Sequence, residues 1–263
     1  MNKLRGLLPI AILVAACFVA TGTSATAQTP PMPLTESAVL WRASIDGNPR
    51  GLAVDEATGR IYVAKWTAEQ IAVVQPDDTI STIIDTPATH LPQWGPEAVA
   101  FDPQTKRLFS VETNGDVTII DATTNTIISK QTFGEGGGWP MTASIAVDQV
   151  GRRVISTIRF GTLKKLVVLD ADSLAVVDTY NDSGDILGMA ANDKTHIAYT
   201  GSTTFNADNV RQGAVLGIDL LNNKKFTVIF GLSDGPANFV ADPSTNLLYA
   251  AAASEGLLYV IDT

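Results

Sequence analysis

The sequence predicts an all-β fold, a β-propeller of four-stranded antiparallel blades, and three observations predict it. Short runs rich in Val, Ile and Tyr, each about five residues long, recur along the chain with strand-like alternation. These runs come in a fixed order, so that one phrase of about 45 residues is repeated five times. Each phrase has a run ending in an acid, a turn, a second run, a polar loop and a third run, with a fourth run between phrases. A small twisted sheet cannot bury both faces alone, and stacking such sheets around an axis covers each with its neighbour.

The first run reads Gly51 to Asp55, Ala98 to Asp102, Ser144 to Asp148, Met189 to Asp193 and Asn238 to Asp242. The second begins at Ile61, Leu108, Val154, Ile197 and Leu247, and the third at Ile71, Val117, Leu166, Val215 and Leu258. The fourth runs are Ser81 to Ile84, Thr126 to Lys130, Leu174 to Thr179 and Lys225 to Ile229. A similar run, Val39 to Ile45, precedes the first phrase, while the fifth phrase lacks its fourth run. The expectation is that Val39 to Ile45 pairs with the last blade and closes the ring, leaving no open edge at the junction.

The domain at 39–263 follows a leader and a linker. Lys3 and Arg5 precede an apolar run from Leu7 to Ala20, and Ala25-Thr26-Ala27 is a small-x-small cleavage signal. This reads as a signal peptide at 1–27, cleaved after Ala27, and it predicts a periplasmic or extracellular protein. The apolar run is shorter than the roughly 20 residues of a membrane-spanning helix. Val14-Ala15-Ala16-Cys17 also resembles a lipobox, which would leave a lipid anchor on Cys17. The apolar Phe18-Val19-Ala20 after the cysteine and the cleavage site beyond it favour the signal peptide. Residues 28–38, with Pro30, Pro31 and Pro33, form an extended linker.

Cys17 is the one cysteine, so the mature chain has no disulfide and depends on its apolar core. Net charge is −9, and loss of the two cationic residues of the leader makes it −11. An acidic domain repels phosphate backbones, so nucleic acid is not an expected partner.

The phrases Pro49 to Ala64, Pro96 to Val111, Val117 to Asn125 and Tyr259 to Thr263 resemble the YVTN-family β-propeller repeat, found in periplasmic and secreted propellers. The resemblance spans nearly all of 39–263. It implies radial four-stranded blades, seven in most of the family, so the five here form either a smaller ring or part of a larger one. Ile155 stands where the family has Tyr, and Asn192-Asp193-Lys194 departs from its first motif.

In such a blade the turns after the first and third strands share one face and are short here. The opposite face holds the longer connections 85–96, 132–142, 158–164, 180–186 and 202–212. They carry or adjoin Trp94, Trp139, His90 and Arg159, with Trp66 on the same side. Elaborated loops on one face of a rigid scaffold mark a binding side. Arg50 and Glu97 precede equivalent inner strands of adjacent blades, so both should border the central channel, paired with each other or with a ligand. Asn238 opens the corresponding strand of the last blade. The candidate ligand-binding set is therefore Arg50, Trp66, His90, Trp94, Glu97, Trp139, Arg159 and Asn238.

Two histidines and no mature cysteine make a zinc site a poor expectation. His196 aligns with Arg60, Arg107 and Arg153 as a turn residue. Asn181 to Asp185 and Asn206 to Asn209 offer oxygens to calcium but lack an EF-hand register, so Asx-turns are the simpler reading. Gly134 to Gly138 lacks the Lys-Ser/Thr and helix of a phosphate loop, and no G-x-S-x-G elbow occurs. The expectation is a binding or scaffold protein with no cofactor and an unidentified small-molecule or protein partner. The alternative is a metal-dependent, lactonase-like hydrolase with Glu97 and Asn238 as ligands, which needs further acids or amides where Ala98, Ser144 and Met189 stand.

Overall fold

The computed structural model describes residues 44–77, 79–86, 95–113, 115–133, 143–160, 163–181 and 184–263, with the side chains of 158–160 and 163 excepted. Blade 1 is β1 (Pro49–Asp55), β2 (Arg60–Lys65), β3 (Gln70–Val74) and β4 (Ile80–Asp85). Blade 2 is β5 (Pro96–Asp102), β6 (Arg107–Glu112), β7 (Val117–Asp121) and β8 (Thr126–Gln131). Blade 3 is β9 (Ile145–Asp148), β10 (Arg153–Phe160), β11 (Leu163–Asp170) and β12 (Val176–Asn181). Blade 4 is β13 (Asp185–Asn192), β14 (Ile197–Phe205), β15 (Arg211–Asp219) and β16 (Lys224–Leu232). Blade 5 is β17 (Asn238–Asp242), β18 (Leu247–Ala252) and β19 (Leu257–Asp262). Every sheet is an antiparallel meander in chain order, the arrangement of β-propeller blades. Among the described residues no helix is long and apolar enough to cross a membrane.

Alternation along the strands gives each blade two apolar faces. Tyr62, Ile71 and Val73 of blade 1 pack against Val99, Phe101 and Leu108 of blade 2. Phe109, Val117 and Ile119 then meet Ile145, Val154 and Leu169 of blade 3. Ile155, Leu166 and Val168 meet Ala198 and Ile218 of blade 4, and Tyr199 and Val215 meet Leu248 of blade 5. Tyr62 lies over Phe101 with centroids 5.6 Å apart. The core is thus four apolar layers between successive blades.

The acid closing each inner strand caps the turn that follows. Asp55 accepts hydrogen bonds from the Ala57 N–H and the Thr58 hydroxyl, Asp102 from Gln104 and Thr105, and Asp242 from Ser244 and Thr245. Four positions after the cap the backbone turns left-handed, at Gly59, Lys106, Arg152, His196 and Asn246. Three of these residues reach back to the preceding blade's cap. Lys106 Nζ is 3.5 Å from Asp55, Arg152 Nη1 2.5 Å from Asp102, and His196 Nδ1 2.9 Å from Asp148.

This corrects the alignment of blade 4. Asn192, not Asp193, ends β13 and caps the turn through the N–H groups of Lys194 and Thr195. Asp193 instead accepts from the Gln149 N–H of blade 3. His196 consequently matches Lys106 and Arg152, one place before Arg107 and Arg153. Asn serves as well as Asp because capping needs only a side-chain oxygen.

Most of the leading segment expected to close the ring falls outside the described residues. Residues 39–43 lie outside them, and Ser44 and Ile45 are not in a strand. Ile45 packs on Val63, Ala72 and Val74 of blade 1 itself. Asp46 pairs with Lys65 at 2.6 Å, and the Gly47 carbonyl accepts from the Thr67 N–H. These contacts tie the entering chain to the first blade. Inner strands pack in the order β1, β5, β9, β13, β17, with no comparable packing of β17 on β1. Leu52 of β1 and Val240 of β17 are both exposed.

Candidate functional site

Three inner strands carry a register irregularity at the same level. In β1, Arg50 and Gly51 lie between the pairs Pro49↔Lys65 and Leu52↔Val63. In β5, Glu97 is the extra residue between Pro96↔Glu112 and Ala98↔Val111. In β13, Leu187 and Gly188 lie between Ile186↔Ser202 and Met189↔Thr200. A bulge bends the strand and re-aims the side chain at that place. These bulged residues line one axial cavity of about 250 Å³, together with Ala143 and Ser144 before β9 and Ala237 before β17. All five blades contribute to it.

The glycines are there because backbone passes close by. A Cβ on Gly51 would lie 2.7 Å from the Glu97 carbonyl oxygen, and one on Gly188 would lie 2.0 Å from the Ala237 carbonyl oxygen. The inner strands therefore converge tightly around the cavity.

Arg50 Nη1 donates to Glu97 Oε1 at 2.6 Å. The Arg50 guanidinium carbon stands 4.0 Å from the centroid of Trp66, a cation–π stack that fixes its plane. Trp66 opens a short 3-10 turn (Trp66–Ala68), and its Nε1–H donates to Thr113 Oγ1 at 2.7 Å. The Thr113 hydroxyl donates in turn to the Gly95 carbonyl. Blades 1 and 2 thus hold Arg50 from both sides. Glu97 is 6% exposed, and its Oε2 has no hydrogen-bond partner. Burial pushes the Glu97 carboxyl above its ordinary range, against the lowering influence of the Ala143 N–H and of Arg50.

A second polar group lies at the same end of blade 2. Glu112, fully buried at the end of β6, accepts from Lys130 Nζ at 2.7 Å, and Asp116 Oδ2 stands 3.8 Å from the same ammonium. Glu112 Oε2 is buried without a partner. Burial raises the Glu112 carboxyl to about 7, Lys130 opposing and Asp116 and Glu69 assisting. Sequence reading missed this group, because an acid before a tight turn looks like solvent-exposed loop. The signal was Lys130 at the matching end of β8, two strands away across the sheet.

Of the candidate residues named from sequence, the structure brings Arg50, Trp66 and Glu97 together. Asn238 stands exposed beside Ala237 and is not among the residues lining the cavity. Arg159 lies in β10, paired with Lys164 near the tip of the β10–β11 hairpin. His90, Trp94 and Trp139 lie outside the described residues. Two connections expected as long loops are extended strands instead. Residues 158–160 and 163–165 pair with each other, as do Ser202–Phe205 with Arg211–Ala214. Runs such as Ser202-Thr203-Thr204 are polar yet suit a pleated ladder, so polarity alone was a poor guide. The Asn206 side chain accepts from the N–H groups of Asp208 and Val210, an Asx-turn. Among the described residues, no three His, Cys, Asp or Glu side chains are grouped so as to hold a metal ion.

No family model matches the sequence, and no curated protein matches it. Among solved structures, the chain is similar to one of Kuenenia stuttgartiensis hydrazine synthase, with a TM-score of 0.66 and 14% identity. The match covers 81% of this chain and 64% of that one, so this chain spans less than two thirds of the length of its structural neighbour. At that identity the likeness is one of fold, and with the five chain-ordered antiparallel sheets it makes this chain a β-propeller-type, all-β protein.

Proposed function

We propose that the chain is a secreted or periplasmic binding protein, related to the YVTN-family repeats its phrases resemble, with a ligand seated in the axial cavity on the side of the longer connections. The observation that carries this reading is the Glu97 carboxylate. It lines the cavity and holds the Arg50 guanidinium at 2.6 Å, and that guanidinium is partly open to solvent. A guanidinium carries five N–H donors, so Arg50 can offer a ligand in the cavity donors that Glu97 does not use. Rigid strands rather than loops position the pair, which suits recognition by a preformed site.

A thermal-shift screen of the purified mature protein against a library of small metabolites tests the reading. A ligand of the native state raises the unfolding midpoint. Hits whose effect is lost in Glu97→Met support it, and hits that act equally on the variant place binding elsewhere. N-terminal sequencing of the exported protein should begin at Gln28. A blocked, lipid-modified Cys17 would show an anchored protein instead.

A further inference from the structure

We infer that the outward face of blade 5 is a dimer interface, covered by the same face of a second copy of this chain across a two-fold axis. Val240, Tyr249, Ala251, Leu258 and Val260 share that face, because Val240 pairs with Tyr249, Tyr249 with Val260 and Ala251 with Leu258. The residues that alternate with them, Phe239, Leu248, Tyr259 and Ile261, pack towards blade 4. Counted from the closing acids Asp55 and Asp242, the same places in blade 1 are Ala53, Tyr62, Ala64, Ile71 and Val73. There Tyr62, Ala64, Ile71 and Val73 are at most 1% exposed, sealed by blade 2. In blade 5, Val240 and Leu258 are each 63% exposed and Val260 is 55% exposed. A face that is an inter-blade layer elsewhere in the chain is here open to water.

The ordinary partner of such a face is the opposite face of a following blade. On blade 1 that opposite face is already in use, because Ile45 of the entering chain packs on its Val63, Ala72 and Val74. What every copy does carry uncovered is the blade 5 face itself. None of its five side chains is charged, so two acidic chains can meet there without burying an unpaired ion. Tyr249 lies on the central strand among aliphatic neighbours, the composition of an interface core. Two identical sheets twist with the same hand, and they stack with strands within about 30° of one another and side chains interdigitated. A contact of this kind uses one patch on each copy and stops at the dimer.

Analytical ultracentrifugation of the mature protein between about 1 and 200 μM tests the assignment. The expected result is a monomer–dimer equilibrium with no larger species. Leu258→Lys and Val240→Lys should each shift it about tenfold or more towards monomer, and Leu52→Lys on blade 1 should leave it unchanged. The substituted side chains are exposed in the single chain, and circular dichroism establishes that all three variants fold. From Gln28 onward the chain holds no cysteine, so Tyr249→Cys places a single thiol at the middle of the face. A short bismaleimide should link that variant into a covalent dimer. Monomer throughout the range, or a dimer that survives both blade 5 lysine variants, overturns the proposal. A dimer that the bismaleimide leaves unlinked overturns it as well. Growth beyond the dimer that Leu52→Lys abolishes also overturns it, in favour of blade 5 stacking head to tail on blade 1.

Discussion

His196 of blade 4 lies with its Nδ1 2.9 Å from Oδ2 of Asp148, the fully buried cap of blade 3. Asp148 also accepts from the Gly151 N–H at 2.9 Å, so one carboxylate fastens its own turn and the next blade. Asp148→Ala should cost about 3 kcal/mol, and His196→Ala about 1 kcal/mol, since the histidine is partly solvated. A Cβ on Gly151 would lie 2.1 Å from Asp148 Oδ2, so Gly151→Ala should resemble Asp148→Ala. Urea unfolding of the three variants checks the order. Equal midpoints across all of them and the wild type would remove the fastening role.

Glu112 gives a pH dependence of defined sign. Its folded value of about 7 lies above the ordinary glutamate value of 4.5, so the native state holds the extra proton between those values. Stability contributed by the protonated form is full below about 4.5 and is lost as pH rises towards 7 and beyond. Glu97 and Asp193 are also raised by burial and slope the same way. The informative quantity is therefore the difference between the wild type and Glu112→Gln. Denaturation at pH 5 and pH 8 should show the variant losing less stability, by a few kcal/mol. Parallel losses in the two proteins would contradict a buried, titrating Glu112.

Gly188 and Gly231 form a matched pair of substitutions. At Gly188 an added methyl meets the Ala237 carbonyl oxygen at 2.0 Å, and Ala237 immediately precedes the next inner strand. At Gly231 the backbone is left-handed, with φ +84, but nothing lies within 4 Å. Gly188→Ala should destabilise by about 3 kcal/mol through forced separation of blades 4 and 5. Gly231→Ala should cost about 1 kcal/mol, from backbone strain alone. Reversal of that order, read from thermal midpoints, would mean that the blades do not converge at Ala237.

Trp66 tests how Arg50 is held. Trp66→Phe keeps a ring for the guanidinium but loses the donor to Thr113, and should cost about 1 kcal/mol of stability. Thr113→Val, which also loses the bond to the Gly95 carbonyl, should cost more, and the double variant little more than Thr113→Val alone, because the Trp66–Thr113 bond is shared. Full additivity in a double-mutant cycle would show that the bond is not formed in solution.

Much of this architecture was legible in the chain. The runs ending at Asp55, Asp102, Asp148 and Asp242 announce inner strands, since alternation and a terminal turn acid are local signals. Blade 4 misled by one place, because Asn192 caps as well as its acidic neighbour and only the hydrogen bonds tell them apart. Closure by Val39 to Ile45 was inferred from a missing partner, and the contacts of Ile45 and Asp46 with blade 1 are long-range facts that no periodicity encodes. At the site, Arg50 and Glu97 could be placed at strand starts. That both sit on bulges, with Leu187 and Gly188 at the same level, could not, because a bulge is a property of two strands in register.

The rim of the channel is therefore written in interruptions of the ladder, in three of the five blades, while the ladders on either side carry the fold. A residue change at such an interruption alters what the axis offers to a guest without changing a hairpin, a turn cap or an inter-blade layer. Specificity in this scaffold can drift blade by blade, with the walls left standing.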